Sequence, residues 1–139
     1  MTYDYNKEIQ EAIDAGEEAL RSLYDAKKYL ISAGNWGIVD ILGGGLITDL
    51  IKHSKIQDAS RCIDRARYDL RRFSKELDDI DEYISDVNVG DFLTFADFFF
   101  DGFIADIFMQ NKISDAKNQV DQAINRVNTI ISRLRQYLL

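Results

Sequence analysis

The sequence predicts an all-α protein: a helical bundle of three long amphipathic helices and two shorter apolar connector helices, internally duplicated at a 57-residue offset. Three observations predict it. Shifting the chain by 57 positions lays residues 36–66 on 93–123 without a gap, and ten aligned positions are identical: Asp40/Asp97, Gly45/Gly102, Ile47/Ile104, Asp49/Asp106, Lys55/Lys112, Ile56/Ile113, Asp58/Asp115, Ala59/Ala116, Asp64/Asp121 and Ala66/Ala123. Average composition gives roughly two by chance, so the match signals repeated architecture. Apolar residues recur at alternating spacings of three and four, the mark of helices that each bury one stripe. Finally, the 139 residues contain no proline, so breaks must come from Gly, Asn, Ser and Asp.

The first helix carries Ile13, Gly16, Leu20, Leu23 and Leu30 in one register, with Lys27 as the polar intruder, and is expected to end at Gly34, a natural left-handed terminator. The first connector, residues 36–53, is apolar around nearly its whole circumference and so belongs in an interior. Gly43, Gly44 and Gly45 interrupt it, at a helix cost of roughly 3 kcal/mol relative to alanine. A phosphate loop is excluded by the lack of a Gly-Lys-Ser/Thr ending and of a preceding strand, which leaves close packing or a kink. The repeat pairs Gly43 and Gly44 with Phe100 and Asp101, and Trp36 with Leu93. Phe100 is therefore expected to fill the space beside the glycines, and Trp36 the space beside Leu93.

The central helix is expected to start near residue 55, because Ser54 with Gln57 reads as a capping box and Asp58 sits in the first turn. Its seam runs Ile56, Ala59, Ile63, Ala66, Leu70, Phe73, Leu77, Ile80, Ile84 and Val87. The end falls between Asn88 and Gly90, with Asp91 as the cap of the second connector. That connector, residues 92–110, holds Phe92, Phe95, Phe98, Phe99, Phe100, Phe103 and Phe108. The last helix starts near residue 112 behind Asn111 and carries Ile113, Ala116, Val120, Ala123, Val127, Ile130, Leu134 and Tyr137. The rival arrangement has residues 46–87 and 103–139 as two continuous helices. Either way the chain reads as one domain with repeats over about 36–87 and 93–139, and residues 3–34 match the latter part of the long repeat helix.

Charge and composition narrow the function. Seventeen Lys and Arg against 24 Asp and Glu give a net charge of −7, which argues against nucleic acid and anionic membrane surfaces. A single cysteine, Cys62, and an opening stretch with no basic-then-apolar leader point to a reducing, cytoplasmic setting. Asp97, Asp101 and Asp106 in the phenylalanine-rich connector argue against a constitutive membrane span. Binding of an apolar ligand, or conditional insertion into a membrane, is the alternative that this connector suggests.

The candidate polar core is Asp40, Asp97, Asp49 and Asp106, copy-related carboxylates in apolar surroundings, together with His53. Such groups need partners. One reading gathers Asp40 and Asp97 around a metal ion as the centre of a metal-dependent enzyme, but the Glu-x-x-His spacing of carboxylate-bridged bundles is missing. The favoured reading pairs Asp40 and Asp97 with cations or helix-end amides, and Asp49 with Lys52 or His53. Cys62 lies inside a predicted helix and reads as a packed thiol. No cofactor motif is present.

Along the central helix a basic stretch (Arg61, Arg65, Arg67, Arg71, Arg72, Lys75) gives way to an acidic one (Glu76, Asp78, Asp79, Asp81, Glu82, Asp86). Local pairs such as Asp64 with Arg67 and Asp69 with Arg72 would make this a solvated face. Antiparallel self-association would instead match its two halves. The function this favours is a non-enzymatic interaction or scaffold protein, working through a protein partner or as a homodimer.

The run Asn35-Trp36-Gly37-Ile38-Val39-Asp40-Ile41-Leu42-Gly43-Gly44-Gly45-Leu46-Ile47, continuing to Lys52-His53-Ser54, resembles a segment of a group of uncharacterised small helical proteins from mainly Gram-positive bacteria. Residues 92–102 resemble a second segment of that group. The resemblance implies a bacterial origin and marks Trp36, Asp40, the glycines, Lys52, His53 and Asp97 for attention. It implies no activity.

Overall fold

A computed structural model describes the backbone of residues 5–43, 46–80, 89–98 and 113–138, and side chains over 5–32, 57–80, 90–92, 94–96 and 115–138. The protein is all-α over these residues, and four helices account for them: α1 (Tyr5–Gly43), α2 (Leu46–Ile80), α3 (Val89–Phe98) and α4 (Ile113–Gln136).

Helix α1 does not stop at Gly34 but runs on to Gly43, for 39 residues, about 58 Å at 1.5 Å per residue. One glycine inside a helix costs only about 1 kcal/mol, and the apolar run after Asn35 continues the turn. The described end of α1 is Gly43, the first residue of the glycine triplet. Helix α2 opens at Leu46, so Ser54 and Gln57 lie within it rather than capping it. A capping box contributes about 1 kcal/mol, too little to start a helix where residues 46–53 are already helical. The first connector is therefore no separate helix: its first part completes α1 and its second part opens α2. This is the start that the rival arrangement assigns to the long central helix. Asp91, expected as a cap, sits in the first turn of α3. Helix α4 is described from Ile113 with Asp115 in its first turn, and Arg133 and Arg135 in its last turn face the negative end of the helix dipole.

Helix α1 packs against both α2 and α4. Both partners run antiparallel to it. Ser22 reaches Asp69 on α2, while Glu17 and Lys27 reach Arg135 and Asp121 on α4. The buried residues of α1 (Ile9, Ala12, Ile13, Ala15, Ala19, Leu23, Ala26, Leu30) cover a wide arc, as a helix with two neighbours requires. Helices α2 and α4 bury narrower stripes: Ala59, Ile63, Ala66, Leu70, Phe73 and Leu77 on one, and Ala116, Val120, Ala123, Val127, Ile130 and Leu134 on the other. These two sets are the same positions 57 residues apart.

The three long helices meet at Gly16. A Cβ there would lie 2.9 Å from Ile131 Cδ1 and 3.0 Å from Phe73 Cε1, so any side chain at this position must displace both neighbours for α1 to seat as it does. Helix α3 is held by its aromatic residues. Phe92 meets the Phe73 ring edge-on at 5.5 Å, and the Arg126 guanidinium lies 4.3 Å above the Phe95 ring, a cation–π contact.

Candidate functional site

The residues expected to carry chemistry are placed on three helices. Trp36, Asp40 and Gly43 fall on the last turns of α1, Asp49 and His53 on the first turns of α2, and Asp97 on α3. Their side chains lie outside the described residues, as do Gly44, Gly45, Phe100 and Asp106 altogether. The expected packing of Phe100 on the glycines falls outside them too.

The described surface separates charged groups that have partners from charged groups that do not. On α4, Asp121 receives Lys27 at 2.8 Å and Lys117 at 3.5 Å. The hydrogen bond from Lys27 is the main reason its carboxyl group titrates below the ordinary range. Lys27, the intruder in the seam, is thus half-buried with its charge answered. Arg135 meets Glu17 at 2.7 Å, and Arg126 meets Asp91 of α3 at 3.1 Å. The Lys27–Asp121, Arg135–Glu17 and Arg126–Asp91 pairs each join two helices, so each fixes register as well as charge.

The outer face of α2 is different. On its exposed side stand Arg61, Asp64, Arg65, Tyr68, Arg71, Arg72, Lys75, Asp78 and Asp79, with the half-buried Glu76 at the edge toward α1. Arg61 pairs loosely with Asp58 at 3.6 Å. Among the described residues, Asp64, Arg65, Arg72, Lys75, Glu76 and Asp79 have no ion pair or hydrogen bond within the chain. Tyr68, in their midst, is 70% exposed, the most exposed of the large hydrophobic side chains described. The local pairs expected from spacing, Asp64 with Arg67 and Asp69 with Arg72, are not formed. Asp69 instead accepts a hydrogen bond from the Ser22 hydroxyl across the α1/α2 contact at 2.5 Å, and the Nε of the half-buried Arg67 has no partner.

At the end of this face carboxylates crowd together. Oxygens of Glu8, Glu11 and Glu76 lie within 4.8 Å of one another. Burial raises the Glu76 pKa first, and Glu11, Asp79 and Glu8 raise it further, with Arg72 opposing. The sequence hid this cluster, because it exists only through the antiparallel register of α1 on α2. Three carboxylates could ligate a hard cation with water completing its shell. No helix periodicity in one segment predicts that.

Two grooves lie among the described residues. One of about 270 Å³ lies between α1 and α2, lined by Asp25, Lys28, Tyr29, Asp58, Arg61, Cys62 and Arg65. Burial, then Asp25, push the Cys62 pKa up, so it stays a protonated thiol, as the sequence predicts for a packed cysteine. The other, about 370 Å³, runs where α3 crosses α4 and combines Phe92 and Ile130 with Asp91, Asn125, Arg126, Thr129 and Arg133. Among the described residues, no helix is long and apolar enough to cross a membrane. Compared with family models, curated proteins and solved structures, the chain matches none.

Proposed function

We propose that this chain is a non-enzymatic interaction protein whose working surface is the outer face of α2. The observation that carries the reading is the row of charged side chains around Tyr68 that find no partner inside the protein. Exposed charges need no partner within their own chain for stability, so this row stays available to charges on another molecule. This face leaves its charges unanswered and exposes an aromatic ring, the residue type enriched at interfaces. The test is capture from the native cell with the wild-type chain and with Arg65→Glu/Arg72→Glu. Loss of a captured partner in the variant supports the reading, and identical capture by both contradicts it.

The groove between α3 and α4 favours a second reading, a binder of amphipathic ligands. It has an apolar floor in Phe92 and Ile130 and guanidinium groups at its rim, within the size range of small-molecule sites. Thermal shift and liposome co-sedimentation with fatty acids test it, and no change in either removes it. A metal-dependent activity on Asp40, Asp97, Asp49 and Asp106 is tested by elemental analysis of the purified protein. Internal duplication accounts for the shared burial of Ala59/Ala116, Ile63/Val120, Ala66/Ala123, Leu70/Val127, Phe73/Ile130 and Leu77/Leu134. In this reading the repeat supplies the scaffold, and function resides where the copies differ.

A further inference from the structure

We propose that the outer face of α2 is a self-complementary seam on which a second copy of this chain docks antiparallel, about a two-fold axis. The inference rests on the reading of this face as the interaction surface, and it names the occupant. Along the helix the outer row runs Arg61, Asp64, Arg65, Tyr68, Arg72, Lys75, Glu76, Asp79. Setting aside Arg71 and Asp78, which flank this row on one side, the spacings are three, one, three, four, three, one and three, the same in both directions.

A two-fold interface sets residue i against j and j against i. An antiparallel pair of α2 helices centred midway between Tyr68 and Arg72 sets Arg61 against the second copy's Asp79, Asp64 against its Lys75 and Arg65 against its Glu76. Six of the seven charges in the row then meet their opposites. Tyr68 meets the second copy's Arg72, a pairing suited to a cation–π contact.

The lateral positions agree as well. Arg65 lines the groove shared with Asp25, Lys28 and Tyr29 of α1, and Glu76 clusters with Glu8 and Glu11 of α1, so both lie on the edge of α2 nearest α1. Helical periodicity puts Asp64 and Lys75 on the opposite edge. A two-fold axis perpendicular to the helices brings like edges together, so Arg65 reaches Glu76 on one side while Asp64 reaches Lys75 on the other. The crowded carboxylates around Glu76 thereby gain a second guanidinium beside that of Arg72.

A nucleic acid fits poorly, because Asp64, Glu76 and Asp79 interleave with the cations. A one-signed acidic helix would leave those same carboxylates unanswered. Exposed ion pairs contribute orientation more than affinity, so the dimer is expected to be modest in strength and weakened by salt.

The test is the solution mass of the full chain by light scattering at low ionic strength, with circular dichroism to verify that each variant is helical. The wild-type chain, 16.0 kDa as a monomer, is expected to approach twice that mass as concentration rises. Arg65→Glu and Glu76→Arg should each weaken the dimer by roughly tenfold or more, since each places like charges together twice. Arg65→Glu/Glu76→Arg should restore it, because the swap rebuilds the pair with reversed polarity. A wild-type chain that stays monomeric at every concentration overturns the proposal, as does a swap that leaves the chain as dissociated as the single variants. A monomer whose mass rises only on adding duplex DNA or a poly-glutamate peptide assigns the face to that partner and also overturns it. Loss of capture from the cell by Arg65→Glu/Arg72→Glu is read separately, so failure of the dimer and failure of the interaction reading are distinguishable.

Discussion

Helices α4 and α2 bury stripes at positions 57 residues apart, yet they handle charge in different ways. On α4 the groups at its edges are answered by other helices: Asp121 by Lys27, Arg135 by Glu17 and Arg126 by Asp91. On α2 the outer row from Asp64 to Asp79 is unanswered, and Glu76 is pressed against Glu8 and Glu11. Charge on α4 fixes register inside the molecule. Charge on α2 is directed outward, and its crowding at Glu76 opposes folding unless something covers it.

The contrast can be broken at its common support, the junction where α1 touches both helices. Gly16→Leu should cost about 1–3 kcal/mol by overpacking, because the first added carbon already meets Ile131 and Phe73 at 2.9–3.0 Å. Urea denaturation checks this, and an unchanged midpoint would show that the three helices do not meet as described.

Smaller effects sharpen the contrast. Lys27→Met should lower stability by no more than about 1 kcal/mol, as expected for a pair whose side chains are roughly one-third exposed. Its signature is in pH. Asp121 titrates below the ordinary range in the folded chain, so its contribution is present above the unfolded carboxylate pKa and is lost as pH falls through the folded value. Acid titration of stability should show that loss in the wild-type chain and a reduced loss in Lys27→Met.

Glu76 has the opposite sign. Its folded pKa is raised, so the folded chain binds more protons than the unfolded one just above the ordinary carboxylate range. Stability therefore falls as pH rises through that window. At low protein concentration Glu76→Gln should give a small rise in Tm at neutral pH and none in acid. The same substitution should weaken the dimer. A residue that merely destabilised the fold would not move the two measurements in opposite directions.

Much of the scaffold was legible from local pattern. Alternating three- and four-residue spacing marked Ala59 through Ile80 and Ala116 through Leu134 as the buried stripes, and those residues are buried. Helix ends were less legible. Gly34 and Ser54 carry local stop and start signals of about 1 kcal/mol, and helical continuation on either side of them overrides signals of that size. What depended on tertiary register was not legible at all. Nothing near Lys27 announces Asp121, and nothing near Glu76 announces Glu8 and Glu11. Spacing likewise does not decide whether Asp64 pairs with Arg67, whose Nε is buried without a partner. The polarity of α2 was visible in the sequence, but its meaning required knowing which side chains the fold leaves without partners.

Thermal unfolding of the wild-type chain across a range of protein concentrations at low ionic strength tests this account most directly, because a second copy that binds only the folded chain stabilises it by mass action. The account predicts a Tm that rises with concentration and stops doing so in high salt, where the charges of the α2 seam are screened. A Tm independent of concentration at low salt would contradict it.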